Sequence, residues 1–439
     1  MNRSVIDNRE KPGHRARAAV TVRRASTAVN HARRSMAPNG SKVAGPKQRA
    51  EILLRTRNLK MARNAHAYVR GSTAKFYEWL EAGGSKLPAG PSVWICGDCH
   101  LGNLGPLADA KGHVEVQIRD LDQTVIGNPA HDLVRLGLSL ASAARGSDLP
   151  GVTTARMLEE LISGYDQALT GEFDGGTERS HRPKLIQAIL ERALRRRWRH
   201  LAEERIENVR PSIPLGRRFW ALSKRERKDL SGLFESDNVR ELITSLKGRS
   251  GRDEIEVLDA AYWMKGCSSL GRLRYAVLVG IGEGKKAQIN LCLIDIKEGV
   301  QAAAPRAAHA KMPRDNAERV VTGARALSPN LGKRMMASRL FDKSVVLREL
   351  MPQDLKIEVD RLSRDEASAV ARYLAGVVGR AHGRQMDAGT RRGWVAELTH
   401  NRSKNLDAPS WLWSSVVELI ASHEAAYLDH CRRYAAGSP

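Results

Sequence analysis

A chain of 439 residues, 42% hydrophobic and 28% charged, is long enough for one large domain or two lobes with a sizeable core. No apolar run approaches the roughly 20 residues that a membrane-spanning helix needs, so a soluble, cytoplasmic protein without a membrane span is expected. The net charge of +23 favours polyanionic partners such as nucleic acid, an anionic membrane surface or a phosphorylated ligand, while 5% aromatic content argues against a base-stacking platform.

Residues 1–50 carry twelve Lys and Arg against Asp7 and Glu10, with little apolar periodicity, so residues 1–47 read as a disordered basic arm. The same composition suits a contact with nucleic acid or a membrane surface, and it is also compatible with a transit peptide. A helix is expected over about 48–82, where Leu53, Leu54, Met61, Ala65, Tyr68 and Val69 recur at three- and four-residue spacings. The run Val93-Trp94-Ile95-Cys96 reads as a buried strand feeding a loop at Gly97. Residues 114–118 alternate as a second strand that ends at Asp120. Cys96 and Cys99 form a C-x-x-C, but no second pair gives zinc spacing, and five scattered cysteines fit a reducing compartment.

The stretch 130–240 reads as helical. It holds a basic patch, Arg195-Arg196-Arg197-Trp198-Arg199-His200, continued at Arg217, Arg218, Lys224 and Arg225. Near 250 the character changes. Strand-like runs at 254–264, 273–281 and 288–297 are separated by Gly-rich turns at 266–271 and 280–284. A helix at 315–327, a strand at 344–350 and helices at 363–386 and 408–435 follow. The fold class expected is α+β, divided as 1–47, a helical part 48–250, a β-rich part 251–355 and C-terminal helices 356–439.

Phosphoryl transfer needs a carboxylate at the attacking hydroxyl, oxygen ligands for magnesium, and a lysine with backbone amides for the phosphates. Asp98 precedes Asn103 by five residues, the Asp-to-Asn interval of the protein-kinase catalytic loop. Asp120 and Asp122 leave the end of the next strand as a carboxylate pair suited to magnesium, unless they are plain strand-end turn residues. His100 either braces the loop or reaches a nucleotide. Asp132 opens a helix, where the dipole favours a carboxylate, or braces the loop from below. Gly266, Ser268, Ser269 and Gly271 lie in a turn that is either an ordinary hairpin or a phosphate cradle. Lys297 ends an apolar strand, Leu291-Cys-Leu-Ile-Asp-Ile-Lys297, and a buried lysine there must be paired or functional. Glu318 on the following helix is its expected partner.

These residues carry a family resemblance. Ala67-Tyr-Val-Arg-Gly71, Trp94-Ile-Cys-Gly-Asp-Cys-His-Leu-Gly-Asn103, Arg119-Asp-Leu-Asp-Gln123 and Asp132-Leu-Val-Arg-Leu136 resemble the bacterial domain of unknown function 2252 family. Arg274-Tyr275, Ile296-Lys297-Glu298, Leu347-Arg348-Glu349-Leu350 and Arg380-Ala381-His382 agree with it, over about residues 50–435. The loop at 97–103 also resembles the H-G-D-x-H-x-x-N loop of aminoglycoside and choline kinases, although Cys96 stands where they carry histidine and the glycine turn is G-x-x-x-x-G. The resemblance implies a protein-kinase-like two-lobe fold, Asp98 as base, Asn103 and Asp120 as magnesium ligands, and Lys297 with Glu318 on the phosphates of ATP. The order is inverted, since Asp98 and Asp120 precede Gly266 and Lys297. A circular permutation is therefore expected, with the helix at 363–386 standing where kinases lead into the catalytic loop.

The function expected is an ATP- and magnesium-dependent phosphotransferase acting on an unidentified small molecule or protein. A nucleotide-binding pseudokinase or regulatory module is the second expectation. A basic nucleic-acid-binding protein, using the arm and the Arg195–His200 patch, is the third.

Overall fold

Short polar residues break the first helical stretch, which is three helices where one was expected. They are α1 (Pro46–Met61), α2 (Ala65–Gly71) and α3 (Thr73–Glu81). The Asn64 side chain caps α2 by accepting from the Ala67 amide at 2.7 Å, and Ser72 Oγ donates to the Tyr68 carbonyl at 2.7 Å. Both bonds offer the backbone an alternative to a continuous helix. The computed structural model describes residues 46–83, 87–173, 182–198, 201, 212–246, 249–267, 269–282, 290–357, 363–399 and 408–434. Of the arm expected over residues 1–47, residues 1–45 lie outside the described residues, as do Arg199, His200 and Ser268, and residues 46 and 47 belong to α1. The described chain belongs to the unit Ala44–Pro439.

Two small antiparallel pairs follow. Strand β1 (Val93–Ile95) pairs with β4 (Val125–Gly127), and β2 (Leu104–Ala108) pairs with β3 (Val114–Ile118). Helices α4 (Ala130–Gly146), α5 (Gly151–Thr170) and α6 (Lys184–Arg195) come next, then β5 (Phe219–Trp220), α7 (Lys224–Phe234) and α8 (Asp237–Thr244). Strands β6 (Ile255–Trp263), β7 (Arg274–Ile281) and β8 (Leu291–Glu298) precede α9 (Asn316–Leu327) and the single turn α10 (Pro329–Gly332). Strands β9 (Met335–Leu340) and β10 (Lys343–Glu349) and helices α11 (Arg364–Gly383), α12 (Ala388–Thr399) and α13 (Ser410–Tyr434) end the chain. About half of the described residues are helical, and every paired strand is antiparallel, so the fold is mixed α+β.

The large sheet runs β5-β6-β7-β8-β10-β9. Its central strands are mostly apolar because both faces are covered. Tyr275, Val277 and Val279 of β7 pack on Leu230 and Phe234 of α7, Val239 and Ile243 of α8, and Leu53 of α1. The alternate residues Ala276 and Leu278 pack on Phe219, Trp263 and Leu293. A separate core joins α4, α5, α9, α11 and α13 with β1 to β4. Gly164 of α5 faces α11 so closely that a Cβ there would sit 2.0 Å from the Arg372 carbonyl oxygen, so this crossing needs glycine.

Candidate functional site

The segment after β1 turns back on itself at Gly97, whose φ is +72° and where a Cβ would meet the Gln123 carbonyl at 2.2 Å. The amides of Cys96 and Gly97 donate to the Asp132 carboxylate at 2.7 and 2.9 Å. Asp132 thus opens α4 and also holds this turn. His382, fully buried in α11, places Nε2 3.2 Å from Asp132 Oδ2 and Nδ1 2.9 Å from the Tyr165 hydroxyl. Tyr77 donates its hydroxyl to the Gly97 carbonyl at 2.6 Å. Helices α3, α4, α5 and α11 therefore fix one short loop. Cys96 and Cys99 are free, buried thiols. Hydrogen bonding to Cys99 and then burial push the Cys96 thiol well up, which suits packing and not nucleophilic use.

Asp98 is 8% exposed and both of its oxygens are engaged. Arg135 Nε donates to Oδ1 and Thr73 Oγ1 to Oδ2, each at 2.9 Å. Burial raises the Asp98 carboxyl above its usual range, and Arg135 opposes that rise without cancelling it. Arg135 also donates to the Val69 carbonyl at 2.6 Å. His100 Nε2 lies 4.0 Å from Asp98 Oδ2, and its buried Nδ1 has no hydrogen-bond partner among the described residues. Burial, then the Arg70 and Arg135 cations, hold this imidazole far below its ordinary range and therefore neutral. The Asn103 side-chain amide donates to the Asp98 carbonyl at 2.9 Å, which commits its nitrogen and leaves its oxygen as the acceptor.

Lys297 arrives from the end of β8. Its Nζ lies 3.3 Å from Asp120 Oδ1 and forms a closer ion pair with Asp122. Burial raises both carboxyls, but Lys297 and Arg274 outweigh it at Asp120 and hold that group far down. At Asp122 burial and the adjacent Asp120 carboxylate win, and the group is pushed up to about 6. The Asp120 side chain keeps 49% of its exposure, so solvent screens part of its attraction to Lys297.

Asp98, His100, Asn103, Asp120, Asp122, Gly266, Ser269 and Lys297 all line one cavity of about 140 Å³. Sequence reasoning missed its charged wall. Arg274 Nε donates to Asp295 Oδ1 at 2.8 Å, and Lys265 Nζ is 3.8 Å from Asp295 Oδ2 and 4.0 Å from the Trp263 ring centroid. Arg348 donates to the Arg119 carbonyl at 3.1 Å and to Asp354 at 2.9 Å. A signal for Arg135 and Asp295 existed, since each interrupts an apolar run, where a charge must find a partner.

Two expected residues lie elsewhere. Glu318 is exposed and lines a different hollow, beside Glu241 and Arg325, and does not pair with Lys297. The inward position on α9 belongs to its neighbour Arg319, which donates to the carbonyls of Asp122 at 3.0 Å, Val300 at 2.8 Å and Thr124. Gly271, still within the turn, lines a hollow with Tyr262 and Tyr275 instead of the Lys297 cavity. Of the basic patch, the described residues 195–198 do not line the cavity, and Arg196 Nε donates to the Pro352 carbonyl at 2.8 Å.

The chain belongs to the family described as "Uncharacterized protein conserved in bacteria (DUF2252)", whose model matches residues 49–433. No curated protein and no solved structure shows significant similarity to it. Among the described residues no helix is long and apolar enough to cross a membrane, and no group of three or more His, Cys, Asp or Glu is placed to hold a metal ion.

Proposed function

We propose that the protein is an ATP- and magnesium-dependent phosphotransferase with a circularly permuted, protein-kinase-like architecture. The observation that carries this reading is the meeting of Lys297 with Asp120 and Asp122 across 177 and 175 residues of chain, beside the Asp98 loop. A permuted order would bring these parts together, and α11 reaches the Asp98 loop through His382 and Asp132. Asp98 is the base that takes the proton of the acceptor hydroxyl as the new O–P bond forms and ADP leaves. Lys297 exchanges its carboxylate partners for phosphate oxygens, and Arg319 keeps the Asp122 backbone in place.

The donor set fits magnesium. A lysine ammonium already sits between Asp120 and Asp122, so these carboxylates accommodate a cation, and magnesium commonly takes only one or two carboxylates and completes its shell with water and phosphate oxygens. Asp120, Asp122 and the Asn103 oxygen would hold it, and when bound it neutralises charge on the phosphates. The cavity of about 140 Å³ is smaller than the roughly 300–1,000 Å³ of small-molecule sites, so nucleotide entry requires the Lys297 contacts to part.

Incubation with magnesium and ATP labelled at the γ or the α position tests the reading. Transfer of γ label alone, lost in Asp98→Ala and Asp120→Ala, supports it, and equal turnover in the variants defeats it. A nucleotide-binding regulatory module is the second reading, favoured by the engagement of both Asp98 oxygens by Arg135 and Thr73. It expects ATP binding without transfer.

A further inference from the structure

A second groove opens from the cavity that holds Lys297. Arg70, Lys265, Gly266, Cys267 and Lys356 line both. The groove encloses about 590 Å³, against about 140 Å³ for the cavity. Half of its lining residues are Lys or Arg. Lys60, Arg63 and Arg70 come from the end of α1, the turn after it and α2. Arg217 and Arg218, just before β5, face them, and Lys265 and Lys356 stand toward the cavity. Among the described residues no Asp or Glu lines the groove.

That charge balance differs from the cavity next door, where Asp98, Asp120, Asp122 and Asp295 offset the cations. Lys265 is offset by Asp295 on the cavity side, but Arg63, Arg70, Arg217 and Arg218 repel one another, and an anion in the groove would relieve that repulsion. Burial holds the Lys60 ammonium below its ordinary range, with Cys267 opposing that fall and Arg63 adding to it. Arg63, Arg217 and Arg218 are exposed, and no carboxylate among the described residues pairs with them or with Arg70. The Arg70 guanidinium lies over Gly102 in the Asp98 loop, where a Cβ would come 3.1 Å from its Cζ. His100, which lines the cavity, has a buried Nδ1 with no hydrogen-bond partner among the described residues.

We propose that this groove is the acceptor site and that the acceptor is a small molecule carrying phosphate of its own, such as a nucleotide or a sugar phosphate. The proposal rests on the reading of the Lys297 cavity as the ATP site. Its phosphate lies against Arg63, Arg217 and Arg218, and its hydroxyl extends past Arg70 toward Asp98. The volume falls within the roughly 300–1,000 Å³ typical of small-molecule sites, which favours a compact anion over a polymer.

Calorimetric titration separates the two sites. Inorganic pyrophosphate, without magnesium, probes the groove, and ADP with magnesium probes the cavity. The proteins are wild type, the double variant Arg217→Glu/Arg218→Glu and Lys297→Ala. Both arginines are exposed and make no ion pair among the described residues, so the double variant should unfold at the wild-type temperature. The double variant should bind pyrophosphate at least about tenfold more weakly and ADP within about twofold of wild type, and Lys297→Ala should do the reverse. Failure of wild type to bind ADP would remove the nucleotide reading and leave the pyrophosphate result to judge the groove. Pyrophosphate that does not bind wild type, or binds the double variant equally, or is lost only in Lys297→Ala, would overturn the groove proposal. A single-stranded oligonucleotide of about a dozen bases binding wild type about a hundredfold tighter than pyrophosphate would also overturn it, in favour of a polynucleotide.

Discussion

Arg135 shows what a single buried charge does here. It neutralises Asp98 and holds the Val69 carbonyl while 1% exposed. Arg135→Ala strands a buried carboxylate and should cost about 3–5 kcal/mol, read as a lower urea midpoint at unchanged slope. An unchanged midpoint would mean that Asp98 is not held by this pair. Asp98→Asn should reduce phosphoryl transfer by about 10²–10⁴-fold, because the amide cannot accept the acceptor's proton. Full retention of transfer in Asp98→Asn would remove it as base. Asp98, Asn103, Asp120, Asp122 and Lys297 were legible because local spacing and strand ends single them out. The partners of Asp98 were not, since Thr73 and Arg135 lie 25 and 37 residues away and meet it only through helix packing. Glu318, expected beside Lys297, does not meet it. Adjacent helix residues point about 100° apart, so Arg319 turns inward where Glu318 turns to solvent.

At the level of elements, the Asp98 loop depends on α11. The chain of contacts Tyr165, His382, Asp132 and the amides of 96 and 97 is fully buried at its centre. His382→Ala should lower stability by about 1–3 kcal/mol and slow transfer while leaving ADP affinity within about twofold, because it touches neither Asp120 nor Lys297. Thermal unfolding with kinetics checks this, and a parallel loss of ADP affinity would contradict it. Long strands buried on both faces were readable: β6, β7, β8 and β10 fall within a few residues of expectation. The short strands β1 and β3 were readable too, but β2 and β9 were hidden. Strand β2 reads Leu-Gly-Pro-Leu-Ala, whose glycine and proline signal a break, and β9 lies at the sheet edge with partly exposed residues. The split of one expected helix into three was written in Asn64, whose side chain caps α2, and Ser72, whose hydroxyl bonds back to the Tyr68 carbonyl, both in competition with helix propagation.

Across the whole molecule, buried carboxylates set the response to acid. Asp295 is held far below its usual range by Arg274 and Lys265, and Asp354 by Arg334 and Arg348, each against burial. Such groups contribute stability that is present above their unfolded value near 4 and is lost as the pH falls below it. Asp98, Asp122 and Glu349, raised by burial, act oppositely, and their share is lost as the pH rises through their raised values. The urea midpoint should therefore fall between about pH 5 and pH 3, and less so in Asp354→Asn. A flat profile would contradict these pairings. The long-range assembly was legible only as an expectation, because no local pattern states that Asp120 and Lys297 meet. Calorimetric titration of ATP with and without magnesium, on wild type beside Lys297→Ala and Asp120→Asn, tests that meeting as a nucleotide site. Wild type should bind ATP with a gain of at least about tenfold from magnesium, Lys297→Ala should bind at least about tenfold more weakly, and Asp120→Asn should lose the magnesium gain. Equal affinity in all three proteins, with or without magnesium, would contradict the assignment.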